Sequence, residues 1–205
     1  AAGDEAAFFE ALMAIEKKGR TLMTLGTLCQ IRHSIDTRDE FYAAEQEVWD
    51  EAGPRFQEVA QRQVLVILAS PFKDSLIKRY GAHLIEKMEL SLKTFKPEIL
   101  EDLVEENKLI SRYEKLLASA EIEFDGKTLN LSGLNPYMES TDRETRRQAA
   151  RAYWGWLAER QSELDSLYDK LVALRHGIGR KLGHENFIPV AYARMGRTDW
   201  TPEDA

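Results

Sequence analysis

Apolar residues recur at helical spacing along most of the chain, and one short stretch alternates instead. Over residues 5–34, Phe8, Leu12, Ile15, Leu22, Leu25 and Cys29 follow one another at steps of three, four or seven, with Phe9 and Met13 widening the stripe. That spacing predicts an amphipathic helix. Ser34-Ile35-Asp36 breaks it, and Thr37-Arg-Asp-Glu40 has the form of a capping box that starts a second helix. The inner face of this second helix is expected to use Phe41, Ala44, Val48 and Ala52, and then Phe56, Val59, Gln63 and Val66. Gly53-Pro54 interrupts it. A proline inside a helix removes a hydrogen bond and costs ~3 kcal/mol, so a kink or restart is expected there. The two long helices read as an antiparallel pair joined by a short turn.

Shorter helices follow Ser70-Pro71, over about 72–79, 81–92 and 97–119. The third carries Ile99, Leu103, Ile110, Tyr113 and Leu117 on one face, with Asn107 as a potential break. The periodicity changes at Glu121, where Ile122 and Phe124, then Leu129 and Leu131, alternate with polar residues. Asp125-Gly126 between them is a two-residue hairpin turn. It places Phe124 opposite Lys127 and Ile122 opposite Leu129, so a hairpin over about 121–131 shows one apolar face that must pack on helices. Thr141-Asp-Arg-Glu144 is a second capping box. It is expected to open one long helix to about Leu182, with Ala149, Tyr153, Trp156, Leu164, Leu167, Leu171 and Leu174 buried. Gly177 and Gly179 inside that helix imply close packing or a bend, and Gly183 suits its C-cap. The expected fold is therefore mainly α: long antiparallel helices with one small β-hairpin.

Composition narrows the function classes. The chain has 205 residues, 31% charged and 43% hydrophobic, and a net charge of −7. Without a basic run, nucleic-acid binding has little support. The longest apolar run, Val64–Ala69, is too short to span a membrane. The single Cys29 excludes an internal disulfide framework and fits a cytoplasmic location. Cys29 lies on an apolar face, which favours a core residue over a nucleophile. Of the four histidines, His33, His83, His176 and His184, no two are four apart, so no metal or catalytic residue is assigned.

Two stretches carry a family resemblance. Lys181-Leu182-Gly183 leads into Asn186-Phe187, then Tyr192-Ala-Arg194-Met195-Gly-Arg197 and Asp199-Trp200. Earlier, Phe124-Asp125-Gly126 precedes Ser140-Thr-Asp-Arg143-Glu-Thr-Arg146-Arg147. Leu28-Cys-Gln-Ile-Arg32-His-Ser-Ile-Asp36-Thr37 is a fainter echo. Together they resemble the N-terminal lobe of the oligoendopeptidase F family of thimet-oligopeptidase-like zinc metallopeptidases. The likeness is specific over 121–156 and 181–201 and diffuse elsewhere. It implies a two-lobed helical enzyme around a peptide channel, in which a His-Glu-x-x-His helix and a later glutamate hold zinc and a bound water attacks the peptide bond. His184-Glu185 begins like that motif but continues Asn-Phe-Ile.

Under this resemblance the complete protein hydrolyses internal bonds of short peptides, and this chain supplies one channel wall, with no catalytic residue and no zinc of its own. Its partners would be oligopeptide substrates and its own C-terminal catalytic domain, without nucleic acid or membrane. Residues 1–120 would form a helical subdomain of the lobe. Residues 121–205 would form the hairpin and the long helix leading toward the catalytic domain, the two packing as one unit. Thr201-Pro202-Glu203-Asp204 reads as a helix start without its helix, which implies a piece of a longer protein. Tyr192, Arg194 and Arg197 are candidates for substrate binding, since arginine can hold a peptide carboxylate through two bonds. An intradomain or interlobe salt bridge competes with that role and is favoured. The alternative for the whole chain is a free-standing helical binding or scaffold protein.

Overall fold

Asp4 opens the first helix by accepting a hydrogen bond from the Ala6 N–H at 2.9 Å, and α1 runs from Glu5 to Ile35. The computed structural model describes residues 3–204. After a short turn, α2 (Glu40–Leu68) returns against α1. Next come α3 (Lys73–Tyr80), α4 (Ala82–Ser91) and α5 (Leu100–Ala118), with single 3-10 turns between the last two. A hairpin of β1 (Ile122–Phe124) and β2 (Lys127–Leu129) follows, then α6 (Asn135–Met138), α7 (Arg143–Glu159), α8 (Gln161–Lys181) and α9 (Ile188–Arg194). Among the described residues the fold is mainly α with this one hairpin, as the periodicity predicts.

Three apolar cores hold these elements. Ile67, Leu76 and Ile85 join α2, α3 and α4 under Phe8, Phe9 and Leu12 of α1. Phe95, Ile99 and Leu103 meet Ile178, Leu182 and Val190, which ties the start of α5 to α8 and α9. Ala120, Ile122, Leu134 and Trp156 seat the hairpin on α7. The hairpin register is the expected one, Phe124 opposite Lys127 and Ile122 opposite Leu129. Asp125 and Gly126 both have positive φ (51° and 68°), as a tight turn of this kind requires.

Several expectations need correction. Both capping boxes start one or two residues late. Asp39 caps α2 through the Tyr42 N–H, and Asp142 caps α7 through the Thr145 N–H and hydroxyl, because a carboxylate outranks the threonine beside it once it reaches the free donors. Pro54 neither restarts α2 nor ends it. The carbonyl it leaves without an intrahelical donor, that of Asp50, accepts a bond from the Asn107 side-chain amide of α5 at 3.0 Å. Asn107 correspondingly does not break α5. The long helix expected from 141 to 182 is two helices, α7 and α8, parted at Arg160 (φ −109°, ψ 11°). The break lets Trp156 face the hairpin core while Ile178 joins the core at the start of α5. The helix α9 and the short α6 were not anticipated from the spacing.

The inner face assigned to α2 is also reversed. Phe41, Val48, Phe56, Val59 and Val66 lie at the surface. The side turned to α5 carries buried Asp50, whose carboxylate accepts from the Ser111 hydroxyl at 2.6 Å and the Gln46 amide at 2.9 Å. A buried carboxylate bonded in this way can be accommodated where an unpaired one cannot, so hydrogen bonding turns this face toward α5, while Ile67 of the same helix joins an apolar core.

Gly179 of α8 touches the backbone of the segment before α9: a Cβ built there would lie 2.5 Å from the Asn186 carbonyl oxygen. A Cβ on Gly177 would meet nothing within 4 Å. Gly179→Ala should destabilise the chain by about 1–3 kcal/mol. Gly177→Ala should stabilise it by about 0.5–1 kcal/mol, as expected for a helix-interior glycine without neighbours. Urea unfolding of both variants measures the pair, and equal shifts would contradict this packing. The Asp142 cap makes a pH prediction. The Thr145 hydroxyl, and next its N–H, hold the Asp142 carboxyl below its ordinary range. A lowered folded-state pKa gives stabilisation that is complete above the unfolded value of about 3.9 and is lost as pH falls through the folded value. Asp142→Asn should therefore melt below the parent at pH 7, with the gap closing as the solution is acidified past that window.

Candidate functional site

Tyr192, Arg194 and Arg197 lie on and just after α9, but they do not share one environment. Asn186 begins this helix by accepting the Ile188 N–H at 2.9 Å, and Pro189 occupies its first turn. The preceding turn is fixed by Gly183 (φ 97°): the His184 N–H bonds the Gly179 carbonyl and the Gly183 N–H bonds that of Arg180. With the backbone approach at Gly179, these bonds dictate how α9 lies on α8. One side of α9 then faces the core through Val190, and the other, with Ala193, faces a cleft.

Arg194 points inward. Its Nη1 donates to both carboxylate oxygens of Glu106 of α5, at 3.1 and 2.9 Å. Arg175 of α8 donates to the same carboxylate through Nε at 2.7 Å. Glu106 is only 4% exposed. Both guanidinium groups also lie over the Phe187 ring, at 5.1 Å for Arg194 and 5.9 Å for Arg175. The cluster thus joins three helices through one buried anion and two cations. Beside it, Lys181 bonds Asp102 at 2.5 Å. Arg194 is engaged inside this chain, in an intradomain salt bridge of the kind the sequence favours over a peptide contact.

Tyr192 and Arg197 open onto a cleft of about 560 Å³ between α9 and α4, with Trp200 and His184 on the same wall and Glu86 and Glu89 across from them. Arg197 lies over the Trp200 ring at 4.7 Å. Glu89 is held by Lys73 at 2.9 Å. At the cleft's end, the Thr201 N–H and hydroxyl both donate to Asp204, which lowers the Asp204 carboxyl. The cleft therefore offers two cations, Lys93 and Arg197, several aromatic or apolar surfaces and an acidic wall.

The histidines are scattered. His33 is buried and neither ring nitrogen has a partner among the described residues. His83 lies beside Glu86, His176 is exposed, and His184 lines the cleft. Among the described residues, no group of three or more His, Cys, Asp or Glu is placed to hold a metal ion. This donor set does not fit a zinc centre. Burial, reinforced by Glu45 and Asp50, raises the Cys29 thiol pKa, so the thiolate is disfavoured. The hairpin is strapped to α6: Lys127 donates to the Tyr137 hydroxyl, which donates to Asp125. No helix among the described residues is long and apolar enough to cross a membrane.

Sequence reasoning missed Glu106 and Arg175. A signal was present: Ile99, Leu103, Ile110, Tyr113 and Leu117 leave a gap in their own stripe, and residue 106 is the position that fills it. A glutamate in a core position needs a buried cation. Glu106→Gln should leave two arginines without their anion and cost about 3 kcal/mol or more, read from denaturant unfolding at neutral pH. An unchanged midpoint would show that the cluster carries no stability.

A family model described as the Peptidase M3 N-terminal domain matches residues 1–95. Three solved structures match with TM-scores of 0.94 over 98% of this chain. One is described as oligoendopeptidase F, at 43% identity. Another is PZ peptidase A with an inhibitor, at 40%. A third is an oligoendopeptidase F from Bacillus anthracis, at 42%. The chain spans only 36–37% of the length of these structures. A search among curated proteins found no match. With sequence and fold agreeing along nearly its whole length, the chain belongs to the oligoendopeptidase F family of M3 peptidases and corresponds to an N-terminal part of such a protein.

Proposed function

We propose that this chain is the N-terminal, non-catalytic portion of a zinc metallo-oligoendopeptidase that cleaves internal bonds of short peptides, and that it forms one wall of the peptide channel. The observation that carries this reading is the 40–43% identity to structures about three times longer, two described as oligoendopeptidase F and one as a peptidase with an inhibitor. The zinc and the group that activates its water belong to residues beyond this chain, because the histidines and carboxylates present here do not converge on a metal site. Of the three candidate contacts, Tyr192 and Arg197 are the ones left for a peptide, facing the α4–α9 cleft. Arg194 instead positions α9 through Glu106. Residues 1–120 and 121–205 act as one unit, joined by that same cluster. The protein works in the cytoplasm, consistent with one buried thiol and no disulfide partner.

The test is made on the protein from its native host and on the 205-residue chain side by side. The native protein should be much larger than 23.5 kDa, retain stoichiometric zinc after dialysis and cleave a quenched fluorescent oligopeptide. The short chain should do neither. A native protein of the short chain's mass would overturn the reading in favour of a helical scaffold. Zinc-dependent turnover by the short chain would overturn the assignment of catalysis to the absent part.

A further inference from the structure

The face of α2 that the sequence marks as internal is the one the fold leaves open. At 100° per residue, Phe41, Val48, Val59 and Val66 fall within about 20° of one another around the helix. Each is between 63% and 69% exposed. Ala52 and Phe56 fill the interval between Val48 and Val59. Leu25 and Leu28 of α1 flank the stripe and bound with it a groove of about 400 Å³. Asp50, bonded to α5, lies on the opposite side of the same helix. A solvent-facing helix ordinarily shows the reverse arrangement, apolar side inward and polar side outward.

The size of the stripe indicates what covers it. From Phe41 to Val66 it runs about 38 Å at 1.5 Å per residue, and one helix width makes it about 400 Å². An apolar stripe of that size, edged by Glu45, Arg55 and Gln63, ranks with the largest exposed apolar patches of ordinary monomers, which are often interaction sites. Doubled over two partners, it reaches about 800 Å², which is below the roughly 1,200 Å² of a stable complex between separate proteins. It falls within the roughly 600–1,500 Å² of contacts between domains of one chain, where the tether supplies the effective concentration. The solved relatives have the required tethered material, since this chain covers only 36–37% of their length.

We propose that the open face of α2, with the α1–α2 groove beside it, is the seat of the polypeptide that follows residue 205 in the complete protein. The inference rests on the reading of this chain as the N-terminal portion of a longer peptidase. Burying Val48 and Val59 under that polypeptide would also explain why α2 carries two competent faces: the polar one bonds α5, and the apolar one receives the second lobe.

The test uses the full-length protein with single substitutions Val48→Cys and Val59→Cys, labelled by a maleimide and located by peptide mass mapping. Each thiol's native labelling rate is compared with its rate in denaturant, and light scattering gives the oligomeric state. The expected result is labelling at least about tenfold slower in the native monomer than in the unfolded chain, independent of protein concentration. Native labelling as fast as in denaturant would overturn the proposal. So would protection that disappears on dilution of a dimer, which would place a second copy on the face, or protection that appears only when an oligopeptide is added, which would make the face part of the channel. Absence of zinc or peptidase activity defeats the functional reading yet leaves this one standing if the thiols are protected. A coding region that stops after Ala205 defeats both.

Discussion

The arrangement of the C-terminal half depends on one buried carboxylate. Glu106 occupies a position in α5 where the stripe calls for an apolar residue, and a lone anion there would cost several kcal/mol. It is tolerated because Arg175 and Arg194 arrive from α8 and α9 with direct bonds. The charge therefore specifies which helices meet and at what height, which apolar contacts alone do loosely. Phe187 beneath the two guanidinium groups adds a surface that suits their planar shape. The apolar core of Ile99, Leu103, Ile178 and Val190 then fills around a geometry the ion pairs have set.

A second polar device organises the first half. The α2–α5 contact is built on Asp50, Gln46, Asn107 and Ser111, with the Lys108–Glu51 pair at its edge. Directional bonds fix the register of two long helices that could otherwise slide by a turn. The two halves thus use one strategy at different sites, with α5 serving as the common member of both contacts.

What could be read from the sequence followed how local its cause was. The hairpin was legible to the residue pair because the Asp125-Gly126 turn and the alternation of Ile122, Phe124 and Leu129 lie within eight residues. The ends of α1, the C-cap at Gly183 and the helical character of α2 and α5 were legible for the same reason. The break at Arg160 was not, since Trp156 and Ile178 belong to different cores, and spacing alone runs smoothly through both. The faces of α2 were assigned the wrong way round because an apolar stripe declares that it will be covered, without saying by what. In the candidate site, the 192–197 segment was found by resemblance. Its division into an inward Arg194 and an outward Tyr192 and Arg197 required knowing that Glu106 stood behind it.

Pro54 and Asn107 carry a consequence for exchange between related chains. The proline leaves the Asp50 carbonyl without its usual donor, and the asparagine on a different helix supplies one. Neither residue makes sense in isolation: the amide has no comparable acceptor if α2 keeps its own hydrogen bond, and the proline strands a buried oxygen if the amide is missing. The two positions are therefore one coupled pair, 53 residues apart in the sequence. A chimera that swaps α2 from one relative into another will keep its seam intact only if α5 travels with it.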